Sequence, residues 1–280
     1  MFVILMGITG LIVEFYGYLN SKKSVKNKIL ILSSKMTNPK VSLITIVYNG
    51  EKHLEKTILS VLKQNYSPIE YIIIDGGSKD KTLEIINKYS DRISFWSTEP
   101  DKGISDALNK GLKQAKGEVV GFINSDDWLE DGAIEIIMKN YEPGKIVYGN
   151  IRFWKKDKIT GESKSDHTRL REGMTMAHPA VYVPKKLYDD YGLFDLDFKI
   201  AMDYELLVRL FIKKAEFVKI DAIIVNMNLG GISHKKWIWA IREDLRVKNI
   251  YFNNKLLNYY YFLKQFTYLF FERTFRKLNY

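Results

Sequence analysis

The chain has 280 residues, 46% hydrophobic and 27% charged, enough to bury one sizeable core with a small appendage. It contains no cysteine, which excludes disulfides, thiolate metal sites and cysteine nucleophiles and leaves carboxylates and four histidines to bind any metal. Lysine and arginine number 43 against 33 aspartates and glutamates, and the net charge of +10 points to an anionic partner: nucleic acid, an anionic membrane surface or a phosphorylated small molecule.

The first residues, "MFVILMGITGLIVEFYGYLN", are apolar up to Val13, then carry Glu14 and several aromatics before the basic "SKKSVKNK". A signal peptide is not expected, because a basic start and a small-residue cleavage site are both missing. The apolar run is too short for a bilayer core of roughly 30 Å, so a span is marginal and requires Glu14 to be tolerated. If it inserts, Lys22, Lys23, Lys26 and Lys28 hold the following domain on the cytoplasmic side. A surface-lying or disordered leader is the alternative.

Strand-like and helix-like stretches then alternate. "VSLITIV" (41–47) is a short β-branched run, and "GEKHLEKTILSVLKQ" after it places Leu54, Ile58, Val61 and Leu62 on one helical face. "EYIIIDGGS" (70–78) ends in Asp75 and two glycines, and Ser78 and Asp80 suit the start of a helix over "KDKTLEIINKY". "RISFWST" predicts a third strand, "GISDALNKGLKQA" an amphipathic helix, and "EVVGFIN" a fourth strand. "AIEIIMKNY" reads as a helix and "KIVYGN" as a further strand. At the far end, residues 237–280 interleave aromatics with Arg and Lys over helical lengths. That pattern suits either a membrane interface or a helical pair packed on the domain. Neither end carries a nucleic-acid motif.

Alternation with short connections implies an open, mostly parallel, Rossmann-like sheet with helices on both faces. Ligands bind such sheets beyond the carboxyl ends of the strands, where strand order reverses. Tyr48 and Asn49, Asp75 and Gly76, Glu99 and Asp101, and Asn124 to Asp127 all fall at strand ends and are expected on one rim. In "GFINSDDWLEDG" two adjacent carboxylates repel unless a cation offsets them. A solvated helix-capping turn is the plain alternative. Mg²⁺ suits such a pair, held by one or two carboxylates together with substrate phosphates. No Walker A loop or dinucleotide glycine fingerprint occurs.

"VSLITIVYNGEKHLEKTILSVLKQNY", "IEYIIIDGGSKDKT", "EPDKGISDALNKG" and "GFINSDDW", followed by "HPAVYV", "GLFDLDFKIAMDYELLVRL" and "GGIS", resemble in this order the family 2 glycosyltransferases. The likeness covers about Val41 to Ser233 and is nearest to the branch that builds bacterial exopolysaccharide, capsule or O-antigen units. It implies a GT-A fold over 41–235, between an N-terminal extension (1–40) and a helical C-terminal segment (236–280).

The resemblance also implies roles. Tyr48 flanks the nucleobase with Asn49 nearby, Asp75 accepts from base or ribose, and Asp101 and Lys102 lie near the sugar and diphosphate. Asp126 and Asp127 match the acidic metal motif for Mg²⁺ or Mn²⁺, with Asp127 the expected direct ligand and Asp126 closer to ribose or metal waters. Asn124 stands where many relatives have a third aspartate. Asp203 matches the catalytic base of inverting members. Met202 replaces the Glu that often precedes it, which removes an anion and lowers the pKa of the base unless burial prevails. His178 falls near acceptor or metal, and as a lone histidine it also suits a structural role. Gly230 and Gly231 fit a loop near phosphate or an ordinary turn, and Arg209 fits an ion pair.

The expected activity is metal-dependent, inverting transfer from a nucleoside diphosphate sugar to a sugar or lipid-linked acceptor, at the inner face of the cell membrane. The alternative is a non-catalytic GT-A module that only binds the nucleotide sugar.

Overall fold

The structure, a computed structural model, describes residues 38–275. The expected N-terminal extension and its marginal span therefore lie almost wholly outside the described residues, as do residues 276–280.

β1 (Val41–Val47) is buried along nearly its whole length, as a central parallel strand should be. α1 (Leu54–Leu62) turns Leu54, Ile58 and Val61 inward. β2 (Ile69–Asp75) pairs in parallel with β1, and α2 (Thr82–Lys88) leads to β3 (Phe95–Thr98), parallel to β2. The second helix starts at Thr82 rather than nearer Ser78, because Asp80 accepts from the Thr82 amide at 3.0 Å and holds the preceding turn open.

α3 (Ile104–Gln114) leads to β4 (Val119–Phe122), parallel to β1 on its other side. Gly111 lets α3 lie close to the sheet, since a Cβ there would stand 2.5 Å from Ile44 Cγ2. Strand order thus reverses between β1 and β4, and a crevice opens beyond their carboxyl ends.

The second half begins with β5 (Trp128–Leu129), α4 (Ala133–Lys139), β6 (Ile146–Lys155) and β7 (Lys158–Ser163). The strand expected over "KIVYGN" runs on to Lys155 and folds back as a hairpin. Lys156 and Asp157 both take positive φ, 49° and 60°, as a two-residue primed turn requires. β8 (Val181–Pro184), α5 (Lys185–Tyr191), α6 (Met202–Ile212) and β9 (Phe217–Asn228) complete the domain.

The sheet order is β3-β2-β1-β4-β8-β6-β9-β5, with β7 on β6. β8, β7 and β5 run against the others, so the sheet is mixed but mostly parallel. Side chains alternate between two cores: Ile44, Ile72 and Ile74 meet α3 and α6, while Leu43, Tyr71 and Ile73 meet α1 and α4.

α7 (Ile232–Lys235), α8 (Trp237–Tyr251) and α9 (Lys255–Phe275) follow. α8 packs on α6 and α9 on α8, so the C-terminal segment is a helical pair seated on the domain. Asn258 fixes the turn between them by donating to the carbonyls of Lys248 and Phe252, both at 3.0 Å. Among the described residues no helix is long and apolar enough to cross a membrane.

Candidate active site

A cleft of about 1660 Å³ opens at the carboxyl ends of β1 and β4. Tyr48, Asn49, Asp101, Asn124, Asp126, Asp127, His178 and Asp203 all line it. Asp75 and Lys102 do not.

Tyr48 is 63% exposed, a free ring at the edge of the cleft. Asn49 sits at φ 52°, a left-handed conformation that asparagine tolerates. Its amide donates to Ser78 Oγ at 2.7 Å and its Oδ1 accepts from the Lys79 amide at 2.9 Å, which ties β1 to the loop after β2. Gly76 leaves room beside them: a Cβ there would lie 2.3 Å from Asp101 Oδ2 and 3.5 Å from Tyr48 Cδ2. Asp101 accepts from the Gly103 amide at 2.8 Å.

Asp75 is fully buried; Ser78 Oγ donates to Oδ1, and the Gly77 and Ser78 amides and Thr98 Oγ1 donate to Oδ2. Its oxygens are occupied within the fold, where it shapes the loop after β2. Lys102 is exposed outside the cleft lining; its amide donates to Asp106 Oδ2 at 3.0 Å, and its charge helps lower the Asp106 pKa.

At the end of β4 the two carboxylates differ. Asp127 is 2% exposed, Asn124 Nδ2 donates to its Oδ2 at 2.8 Å, and the Asn228 amide from β9 donates to its Oδ1 at 2.9 Å. Burial, and then the charge of Asp126, push it up to about 8. Asp126 is the more open of the pair. Burial raises it too, partly offset by its own backbone amide and by His53 and Lys235. Asp126 presents its carboxylate to the cleft, and Asp127 stands behind it.

Asp203 begins α6 on another wall of the cleft and is partly exposed there, with its Oδ1 accepting from the Tyr204 amide at 2.8 Å. Burial raises it to about 6; the Tyr204 amide opposes this, and Asp244 and Glu243 add to it. Burial of Asp203 prevails over the anion missing at Met202, and α8 brings two other anions near. Glu243 accepts from the amides of Lys199, Ile200 and Ala201, holding the turn that leads into α6.

Asp244 is 5% exposed, lines the cleft and accepts from Gln265 Nε2 of α9 at 3.0 Å. Burial raises it to about 6, opposed by Gln265 and Lys248. Behind it Lys248 Nζ is buried without a hydrogen-bond partner among the described residues, its charge facing Asp244. Glu243, Asp244, Gln265 and Asn228 were absent from the sequence reading. Only the acidic pair within a basic, aromatic segment marked Glu243 and Asp244.

His178 is buried, stacked 4.9 Å from Phe122 and edge-on to Phe194 at 5.5 Å, and burial lowers it to about 4. It is a neutral packed ring whose edge reaches the cleft. Arg209 pairs with Glu205 and donates to the carbonyls of Tyr191, Gly192 and Leu193, a structural bracket.

The family profile described as "Glycosyl transferase family 2" matches residues 42–204, more than half of the chain. The chain is a family 2 glycosyltransferase. A relative from Haemophilus influenzae, named only as an uncharacterized glycosyltransferase, is 31% identical over 252 residues, 81% of this chain and 95% of that one.

Among solved structures, Staphylococcus aureus TarS 1–349 in complex with UDP-GlcNAc superposes with TM-score 0.59 at 20% identity, covering 74% of this chain and 66% of that one. The mannosyltransferase PcManGT from Pyrobaculum calidifontis, in complex with GDP-Man and Mn²⁺, superposes at 0.60 with 15% identity, covering 83% and 74%. At these identities the likeness is one of fold, and the glycosyltransferase has the GT-A architecture.

Among the described residues no three His, Asp or Glu side chains converge as a closed metal cage. The donor set instead fits a partial shell. One open carboxylate is backed by a second whose pKa burial and its neighbour raise, and hard oxygen ligands of this kind suit Mg²⁺ or Mn²⁺ when phosphates and water complete the coordination.

Proposed function

We propose that this glycosyltransferase moves a sugar from a nucleoside diphosphate sugar to an acceptor hydroxyl with inversion at the anomeric carbon, aided by Mg²⁺ or Mn²⁺. The observation that carries this reading is that Asp126 and Asp203 line one cleft at the switch point of the sheet. UDP-GlcNAc and GDP-Man in the two solved relatives support the donor class, and Mn²⁺ in one of them supports the metal.

In this reading Tyr48 offers its ring to the nucleobase, and Asp101 lies against the ribose and sugar. Asp203 takes the acceptor proton while the acceptor oxygen bonds to the anomeric carbon. The bond from that carbon to the diphosphate oxygen breaks on the opposite face, and its electron pair leaves with the diphosphate. A base with pKa about 6 is mostly ionised at neutral pH yet still accepts a proton, a contribution of about 10² to 10⁴ in rate. Mg²⁺ or Mn²⁺ held at Asp126 supplies positive charge for the departing diphosphate. We place the acceptor on a sugar or lipid-linked sugar at the cytoplasmic face of the membrane, in surface polysaccharide assembly. The resemblance to that branch and the basic, aromatic helices support this.

A thermal-shift screen of nucleoside diphosphate sugars with Mn²⁺, repeated with chelator, tests donor and metal together. Asp203→Asn should abolish nucleoside diphosphate release and keep donor binding. Full activity in that variant refutes the base, and binding without any turnover in the parent chain identifies a non-catalytic module.

A further inference from the structure

The fold covers one face of α9 and leaves the opposite, largely apolar face open. Gln265, Leu269 and Arg273 line the cleft, and Asn258 is buried on the same side. Half a turn away, at about 100° per residue, Leu256, Tyr260, Leu263 and Phe270 stand 86%, 57%, 57% and 47% exposed. The outward stripe from Leu256 to Phe270 is about 21 Å long, includes exposed Thr267 and carries no charged side chain. A surface helix of a globular protein places its polar residues there. Apolar stripes of this extent mark a surface that meets something.

The composition around the stripe indicates what it meets. Lys255 and Lys264 lie off its centre line, Lys264 also 3.7 Å from Glu172, and the sequence continues with Arg276 and Lys277. Tyrosine and phenylalanine rings flanked by cations suit the headgroup layer of a bilayer, with rings at the acyl boundary and cations on anionic lipid. Lys264 at mid-helix fits a helix lying on the surface, not across it. The chain's charge of +10 opposes pairing with a second copy and favours an anionic sheet.

We propose that the outward face of α9 docks on an anionic phospholipid surface, so that the helix walling the catalytic cleft also rests on the membrane. The inference deepens the proposed lipid-linked acceptor: a helix seated in the headgroup layer brings the cleft to the depth at which such an acceptor's sugar lies. It does not depend on the assignment of Asp203.

The test is flotation of the full chain with vesicles of phosphatidylcholine alone and of phosphatidylcholine mixed with phosphatidylglycerol. The parent chain should float with the mixed vesicles, less so at high salt, and Leu263→Glu/Phe270→Glu should cut binding about tenfold or more. The milder Leu256→Ala/Tyr260→Ala pair should weaken it in the same direction, and melting curves check that both variants fold. Asp203→Asn should float like the parent, which separates this result from the catalytic reading. Failure of the parent to bind mixed vesicles, or undiminished binding by folded stripe variants, overturns the proposal. So does light scattering that shows a dimer which the stripe substitutions dissociate.

Discussion

Glu243→Ala removes a carboxylate of α8 that holds the turn in front of Asp203. Its Oε2 accepts from the amides of Ala201 at 2.8 Å, Ile200 at 2.9 Å and Lys199 at 3.1 Å, and its Oε1 from Lys199 at 3.0 Å. Water can replace the partner of exposed Lys199 but not readily that of Ala201, which is 3% exposed. An orphaned buried amide costs about 1–3 kcal/mol. Loss of negative charge at the start of α6 adds about 0.5–1 kcal/mol. A total of about 2–4 kcal/mol lowers the melting temperature of a chain this size by about 4–16 °C.

Donor hydrolysis, followed as nucleoside diphosphate release with water as acceptor, gives the functional half of the test. It should fall in kcat while nucleotide affinity holds, because Tyr48 and Asp126 come from other elements. Glu243→Gln keeps a carbonyl where Oε2 lies and should recover about half of the stability. It also removes an anion beside Asp203, so its rate profile should shift toward lower pH. Unchanged melting and kcat in Glu243→Ala, or a loss of nucleotide affinity as large as the loss of kcat, refutes the reasoning.

The remaining predictions concern the carboxylates in and under the cleft. Asp203 must be ionised to accept a proton, so kcat/KM should rise through about pH 6 and level off above it, and an acid limb near pH 4 contradicts the role. Its folded pKa lies above the unfolded value, about 3.9, so the stability it contributes is present below about pH 4 and lost as pH rises through about 6. Asp203→Asn should therefore be more stable than the parent near pH 7, by at most about 2–3 kcal/mol, with no gain near pH 4; an equal gain at both refutes it. Asp126→Ala should remove the effect of Mn²⁺ on nucleotide affinity, while Asp127→Asn weakens it, and titration calorimetry showing the reverse order exchanges their roles. Asp75→Asn should lower stability by about 2–4 kcal/mol and leave nucleotide affinity of the folded protein nearly unchanged; a selective loss of affinity would return Asp75 to the ligand.

The parallel half of the sheet was legible because its signals are local. Val41–Val47 and Ile69–Asp75 are β-branched runs, and the helices after them repeat apolar residues at three and four. The strand-end rim followed from that alternation, and Tyr48, Asn49, Asp101 and Asn124 to Asp127 do reach one cleft. A carboxylate at a strand end looks the same in sequence whether it faces a ligand or closes its own turn, and Ser78 and Thr98 hold Asp75 in the turn. The order of Asp126 and Asp127 was equally hidden. It depends on Asn228, a residue 101 positions away whose amide occupies the inner carboxylate. β8 and β9 went unread because their positions in the sheet rest on non-local pairing.

Met202 shows why the charge around the proposed base cannot be read from its neighbours in sequence. Its apolar side chain occupies the place where the resemblance leads one to expect an acid, and taken alone that change argues for a weaker base or none. In the fold, Asp203 still feels two anions, Asp244 and Glu243, delivered by α8 from some forty residues downstream. Glu243 is committed to three backbone amides, which fixes its position, and Asp244 is fixed by Gln265 of α9. The electrostatic setting of the base therefore depends on how the two C-terminal helices sit. Any force on α9, including the lipid contact proposed for its outward face, is transmitted through Gln265 and Asp244 to the wall that carries Asp203. If that chain of contacts matters, anionic vesicles should raise donor turnover in the parent and leave it unchanged in Gln265→Ala. Equal activation of both would show that lipid acts, if at all, by concentrating the acceptor rather than by ordering the site.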